Sequence, residues 1–504
     1  MRNITVKDIG KSYGSKTILS DISFTFAEGT RLAVVGENGA GKTTLLKILS
    51  GQMEYDEGEI FGQDAGCLYI SQDFSGISTE TPYAFLIRTT PNISAAMKLL
   101  ESSGFNFGKN QYRLNEITCG DLSGGEQKKL EISASLASNA RFIAFDEPEN
   151  HLDYKTIEWL IARIKEYAGG VIFISHDQYL IDQLADTILE LERGMLTVYT
   201  MSYEEYLAEK KRHIEGLARE WTVEEKTIAR LHDTVEMLKM KTKVTDSGVA
   251  TYRQTKRRYE ELKENHGSKP SAEIDGPTIS ASSVERKNGK VIAALKDLSF
   301  SYGDAKVLKS VSAEIFFGEK IVLFGDNGAG KSTLIKLLTG QLEPTNGVAT
   351  LGTNIQWQMM TQDHLKDIDP NKSALKVFQE SLAWDETKSR AQLARYGIRA
   401  DQVLRPLKDL SGGQQARFKL SLTFAQKPEL LILDEPTNHV DPPTWDAIVE
   451  AIKGFQGTVI AVTHDRAFID AISQKLWILE NGKIKVELGT LSEYLQKEKN
   501  SEML

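Results

Sequence analysis

RLAVVGENGAGKTT (31–44) and KIVLFGDNGAGKST (320–333) decide the architecture, because each joins an apolar run to a glycine-rich loop and then to a helix-forming stretch. RLAVV and KIVLF are short and apolar, with β-branched valine and isoleucine, and read as buried strands. TTLLKILSG and STLIKLLTG follow as helices closed by glycine, which readily adopts the left-handed conformation that ends a helix. Between strand and helix, Gly36, Asn38, Gly39, Gly41, Lys42, Thr43 and Thr44 match the P-loop pattern, as do Gly325, Asn327, Gly328, Gly330, Lys331, Ser332 and Thr333. The glycines let successive backbone N–H groups face phosphate oxygens at a helix N-terminus. Lys42 and Lys331 supply a point charge for the β- and γ-phosphates of ATP, and Thr43 and Ser332 offer a hydroxyl to Mg2+.

The second loop follows the first by 289 positions, and three further motifs repeat in the same order. LSGGEQ, with Ser123, Gly124 and Gly125, returns 288 positions later as LSGGQQ, with Ser411, Gly412 and Gly413. AFDEPENHLD (144–153) returns as ILDEPTNHVD (432–441), and FISHD (173–177) as AVTHD (461–465). Four motifs in one order at nearly one offset make the chain a tandem duplication. Strand, loop and helix in succession predict an α/β fold: in each copy, a largely parallel sheet covered by helices.

Asp146 and Asp434 end apolar runs, where a carboxylate reaches the Mg2+ shell. Glu147 and Glu435 come next and are placed to polarise an attacking water. His176 and His464 each end a further apolar strand, and recurrence in both copies assigns them to orienting the γ-phosphate. Gln72 and Gln362, each in a (S/T)QD sequence, suit a contact to Mg2+ or its water. Tyr13 and Tyr302 each precede the P-loop lysine by 29 residues, a position for stacking on adenine; packing within a strand is the competing explanation. Glu149, where the second copy has Thr437, has no counterpart in this scheme.

Between the copies the pattern changes. Leu207, Ile214, Leu217, Trp221, Ile228, Leu231, Val235 and Leu238 recur at spacings of three, four and seven, one stripe along a long helix. Thr245 to Gly248 interrupt it, and a second helical stretch runs through Tyr252, Tyr259 and Leu262, which together predict an antiparallel hairpin. Formal net charge is -9, so the surface as a whole repels nucleic acid and any RNA contact needs a local basic patch. Such a patch lies at the turn: Lys239, Lys241, Lys243, Arg253, Lys256, Arg257 and Arg258 stand against the single acid Asp246. Only two cysteines occur, Cys67 and Cys119, which predicts buried thiols in a reduced, cytoplasmic protein rather than a disulfide framework or a metal site. MRNITVKDIGKSYG lacks the apolar core of a signal peptide, and no apolar run reaches the ~18 residues that a membrane span needs.

Together the P-loop, LSGG(E/Q)Q, DEP and histidine motifs resemble the ATP-binding-cassette superfamily over the whole chain outside the hairpin and a short tail. The resemblance implies two P-loop cassette domains, at 1–202 and 276–492, joined by a helical hairpin linker with a basic tip at 203–275 and followed by a tail at 493–504. It also implies that LSGG segments complete the opposite nucleotide site, so that Ser123 to Gly125 cap ATP on the second P-loop and Ser411 to Gly413 cap ATP on the first. Asp153 and Asp441 match the aspartates that lie across that interface. Paired cassettes with a charged helical linker resemble the F subfamily, whose members act on the ribosome and direct the linker toward the P-site transfer RNA and the peptidyl-transferase centre. Lys42 and Ser123 stand 81 positions apart and Lys331 and Ser411 stand 80 apart, so the first copy has no inserted arm, as in members that protect ribosomes from antibiotics. A transporter ATPase working with separate membrane subunits and a DNA-acting repair ATPase are the alternatives.

Overall fold

The computed structural model describes residues 3–37, 39–62, 66–105, 114–150, 152–242, 249–265, 289–303, 305–361, 365, 368–437, 440 and 442–502. Of the residues singled out above, Asn38, Gln362, Asp441, Lys243 and Thr245 to Gly248 lie outside the described set. The chain forms two compact units, one comprising Met1–Tyr203 and Ile279–Leu504, the other Glu204–Thr278.

In the first unit each copy is built on a six-stranded sheet. Its order in the first copy is Cys67–Ile70, Phe142–Asp146, Gly170–Ile174, Arg31–Val35, Thr187–Glu192 and Met195–Tyr199. The second copy repeats it as Trp357–Met360, Leu430–Asp434, Thr458–Val462, Lys320–Phe324, Lys475–Glu480 and Lys483–Leu488. Five strands run parallel and the last pairs antiparallel. RLAVV and KIVLF are central and buried along their whole length, as their composition requires. A three-stranded antiparallel sheet covers one side in each copy: Lys16–Ala27, Asn3–Tyr13 and Glu57–Phe61, then Ala305–Phe316, Val291–Tyr302 and Asn346–Leu351.

The P-loop helices span Lys42–Leu49 and Lys331–Leu338, and pack with the antiparallel sheets into one core cluster per copy. Gly51 and Gly340 end them with φ near 71° and 74°, the left-handed stop expected of glycine. A separate helical cluster in the first copy joins Pro82–Thr89, Ile93–Ser102 and Gly124–Leu136. Its counterpart joins Ala374–Leu382, Glu386–Arg395 and Gly412–Ala425. Residues 493–504, expected as a tail, lie on a helix Leu491–Glu502 as far as they are described; Leu491 and Tyr494 sit in the second copy's core, with Leu495 packed against it, at helical spacing. Cys119 is buried, whereas Cys67 is only half-buried, because its strand is the edge of the sheet.

In the second unit, helices Tyr203–Thr242 and Val249–Asn265 form the expected hairpin, and the rings of His232 and Tyr259 meet at 5.6 Å across it. Val235 is buried, while Trp221, Ile228, Leu231 and Leu238 on one helix and Tyr252, Tyr259 and Leu262 on the other are half-buried. Leu217 departs from the expected stripe and is exposed.

Both central strands begin with a buried cation. The Arg31 guanidinium donates to the carbonyls of Ile164 (2.7 Å), Gly169 (2.8 Å) and Tyr167 at the C-terminus of helix Tyr154–Glu166. Lys320 donates to Ile452 (2.6 Å) and Phe455 (2.9 Å) at the end of helix Pro442–Gly454. A cation at this end satisfies orphan carbonyls and complements the helix dipole. Replacing Arg31 with Met removes the charge-assisted bonds to these carbonyls, of which Ile164 keeps the Tyr167 amide as donor, at about 1–3 kcal/mol in total. We expect urea or thermal unfolding to show the first copy's transition lowered by roughly 3–10 °C.

Candidate functional site

Parallel pairing puts the loops that follow Val35, Asp146 and Ile174 on one edge of the first sheet, and those after Phe324, Asp434 and Val462 on the same edge of the second. Gly36 and Gly325 leave the central strands with φ near 148° and 155°. A Cβ there would lie 2.2 Å from the Leu191 carbonyl oxygen or 2.6 Å from that of Leu479, so only glycine lets the loop start against the sheet. Lys42 and Lys331 open the next helices, and both are buried. Lys42 Nζ donates to the carbonyls of Gly36 (2.6 Å) and Glu37 (3.0 Å), and Lys331 Nζ to those of Gly325 (2.6 Å) and Asp326 (3.1 Å). The amine is thereby folded over its own loop. Burial pulls the Lys331 ammonium below its ordinary range, against the pull of Glu435 and other acids.

Asp146 ends its strand beside Thr43, whose hydroxyl bonds to its carboxylate, and beside Tyr69, whose hydroxyl donates to it at 2.9 Å. Burial pushes the carboxyls of Asp146 and Asp434 upward, and Lys331 opposes the shift at Asp434. Among the described residues no cluster of three or more metal-ligating side chains exists. A hydroxyl beside one carboxylate nevertheless fits Mg2+, which takes hard oxygen ligands and completes its shell with phosphate and water. Gln72 is exposed, in the loop after strand Cys67–Ile70.

Glu147 and Glu435 have φ near 48° and 50°, a strained conformation for a side-chain-bearing residue. Sheet pairing over-determines it: the Glu147 amide donates to Ile174 O (3.0 Å) and that of Glu435 to Val462 O (2.8 Å). The strain turns both carboxylates toward the histidine that follows the neighbouring strand. His176 Nε2 lies 3.7 Å from Glu147 Oε1, and His464 Nε2 lies 3.9 Å from Glu435 Oε1. Burial, with Lys331 close by, holds His464 down at about 4, so its imidazole is neutral at physiological pH. Its Nε2 stands 3.2 Å from Lys331 Nζ and accepts from that ammonium, which assigns the proton to Nδ1. Both histidines lie two residues past the strand ends, not on them.

The two copies meet at these loops. Ser123, Gly124 and Gly125 line a cavity of about 490 Å³ together with Asn327, Gly328, Lys331, Ser332, Asp434, Glu435 and His464 of the other copy. That volume lies in the range of small-ligand sites. Ser123 caps helix Gly124–Leu136 through a reciprocal pair with Glu126, so the helix N-terminus and its dipole face the cavity. Ser411 and Gln414 repeat the arrangement ahead of Gly412 and Gly413. Asp153 caps its own helix and accepts from the Asn327 amide at 3.4 Å. Lys155 Nζ pairs with Asp326 Oδ2 at 2.9 Å, and the rings of Tyr154 and Phe324 lie 4.8 Å apart. Arg466 pairs with Glu158 at 2.8 Å and stacks on Tyr179, 4.0 Å from its centroid. Gly36, Ser175 and His176 border a smaller cavity with Thr437, Val440 and Trp445 of the second copy.

Tyr13 and Tyr302 end their strands about half exposed, at 50% and 52%. The Tyr13 hydroxyl reaches Met53 Sδ at 3.0 Å, and Tyr302 meets Phe300 edge-on. Gly39, Gly41 and Thr44, like Gly328, Gly330 and Thr333, fall on the loop and first turn beside the lysines. In the hairpin Lys239, Arg253, Lys256, Arg257 and Arg258 are exposed. Lys256 and Arg257 pair with Glu260 and Glu261 one turn on, pairs that solvent and salt weaken readily. Lys241 lies on the last turn of the first helix. Tyr69 and Lys155 were not foreseen: their counterparts, Met359 and Pro443, lack the donor, so repetition gave no signal.

A family model described as "ABC transporter" matches residues 19–150 and 308–438, and a second with the same description matches 189–276. The chain is 30% identical to the ATP-binding protein Uup of Escherichia coli (strain K12) over 94% of its own length and 79% of that protein's. It is 29% identical to ABC transporter F family member 5 of Arabidopsis thaliana, over 98% and 77% respectively. Among solved structures, the complex of archaeal ribosomal stalk protein aP1 with the ribosome recycling factor aABCE1 contains a chain of the same fold, at TM-score 0.67 and 20% identity, over 98% of this chain and 92% of that one. Among the described residues no helix is long and apolar enough to cross a membrane. Matched on both repeats and related along nearly its full length to F family members, the chain belongs to the F subfamily of the ATP-binding-cassette superfamily and is an ATPase.

Proposed function

We propose that this protein acts on the ribosome, with ATP binding and hydrolysis at two composite sites setting how long it stays. The reading rests on the helical hairpin between the cassettes, whose turn is flanked by basic residues in a chain of net charge -9. A basic element on an acidic protein directs one part alone toward RNA. The fold it shares with an archaeal ribosome recycling factor supports the same direction. The missing arm in the first cassette favours the antibiotic ribosome-protection variety, with the hairpin reaching toward the P-site transfer RNA and the peptidyl-transferase region; a general translation factor is the other variety.

At the second site, Lys331 neutralises the β- and γ-phosphates, and the helix N-terminus at Ser123 to Gly125 faces the γ-phosphate from the opposite cassette. Ser332 and Asp434 would hold Mg2+, with Thr43 and Asp146 doing so at the first site. Held there, the ion would supply positive charge against the phosphates. Glu435 accepts a proton from the attacking water while neutral His464 orients the γ-phosphate; Glu147 and His176 take these parts at the first site, which Ser411 to Gly413 complete. The exposed faces of Tyr13 and Tyr302 receive adenine.

Replacing both Glu147 and Glu435 with Gln is expected to preserve ATP binding and lower turnover at least a hundred-fold. Sucrose-gradient sedimentation of that protein with purified ribosomes should show co-migration that requires ATP. A protein that stays at the top of the gradient with ATP would overturn the ribosomal reading and turn the search to membrane or DNA partners. Neutralising Lys239, Lys241, Lys243, Lys256, Arg257 and Arg258 together should abolish co-migration at moderate salt and leave isolated ATPase activity within two-fold. Unchanged co-migration would remove the hairpin from the RNA contact.

A further inference from the structure

The repeat breaks inside its most informative motif, where Glu149 of DEPEN stands against Thr437 of DEPTN. Glu149 Oε1 accepts the Ser175 hydroxyl at 2.6 Å and the His176 amide at 2.9 Å. Its other oxygen is buried with no hydrogen-bond partner among the described residues. In the second cassette the corresponding amide, that of His464, donates to Glu435 Oε2 at 3.4 Å, and Glu435 also bonds to Thr463, the counterpart of Ser175. Thr437 turns away from that amide and bonds to Asp465. The base Glu147 accepts from the Asn150 side-chain amide at 2.8 Å. In the second cassette the base also takes the backbone amide of the histidine; in the first, that amide goes to Glu149.

We infer that Glu149 is a positioning residue that anchors the His176 backbone in place of the base, so that hydrolysis at the first ATP site depends on it and hydrolysis at the second does not. The inference rests on the roles proposed above for Glu147 and His176. A cluster of acids accompanies the difference. Burial, reinforced by Asp177, pushes the Glu149 carboxyl up to about 7, and burial beside Asp465 pushes Asp177 up to about 6, with Arg466 opposing. A carboxyl kept partly neutral needs only its accepting oxygen for this task, and glutamine retains that oxygen.

The test is steady-state ATP hydrolysis by the full chain in two parents, Glu435→Gln, which leaves only the first site, and Glu147→Gln, which leaves only the second. Adding Glu149→Thr to the first parent is expected to lower kcat about ten-fold with KM within two-fold, because an orienting group acts mainly in the transition state. Glu149→Gln should restore kcat to within two-fold. In the second parent, Glu149→Thr should leave kcat within two-fold. Ser175→Ala, a smaller change at the other end of the same bond, should lower first-site kcat by roughly three-fold and carries the test if Glu149→Thr does not fold. Equal losses at both sites, a change in KM alone, or a Gln variant as slow as Thr would overturn the inference. Persistent turnover with both Glu147 and Glu435 replaced would instead sink the assignment of the bases, and this inference with it. A silent double variant combined with an indifferent Glu149→Thr would sink the role of Glu149 alone.

Discussion

Parallel pairing of Arg31–Val35 and Phe142–Asp146 with the strand between them, Gly170–Ile174, is the constraint from which the chemistry of the first cassette follows. Parallel strands end on the same edge, so the P-loop, the Asp–Glu pair and the histidine are brought together by sheet geometry before any side chain contributes. The register also bends Glu147 into a left-handed conformation, because its amide is claimed by Ile174 across the ladder. The second sheet imposes the same on Glu435 through Val462. Strain at the reacting group is thus sustained by hydrogen bonds that the fold makes anyway.

What was legible in the sequence is what backbone rules and repetition encode. The glycines at 36 and 325 announce a loop that a Cβ would break, and the apolar runs before them announce buried strands. The hairpin was readable from its stripe, except at Leu217, which is exposed although its spacing fits the apolar face. Contacts between distant segments were not legible. Arg31 begins an apolar run and would ordinarily be taken for an exposed end, yet it is buried against carbonyls over 130 positions away. Tyr69 on Asp146, and Lys155 on Asp326, rest on residues that the other copy lacks. Glu149 was visible as a break in the repeat, but its purpose depends on the position of Ser175 and the His176 amide in the fold.

The junction of the cassettes is polar where the chemistry lies and aromatic beside it. Tyr154 extends the apolar core of the second cassette across the boundary, and Lys155 ties the second P-loop to the first cassette's helix. The equivalent positions on the other side are Pro442 and Pro443, which supply neither aromatic ring nor cation. Arg466 on Tyr179 is likewise one-sided, since its counterparts are Gln178 and Ala467. The two halves of the junction therefore differ in what they demand of each other when they separate.

Joining both cassettes in one chain is what permits this. Two identical subunits around a two-fold axis must place every residue at both sites, so an improvement to one is imposed on the other. A continuous polypeptide carries no such obligation: position 149 and position 437 are inherited together yet mutate separately. Duplication followed by fusion turns a symmetric machine into one whose parts can specialise.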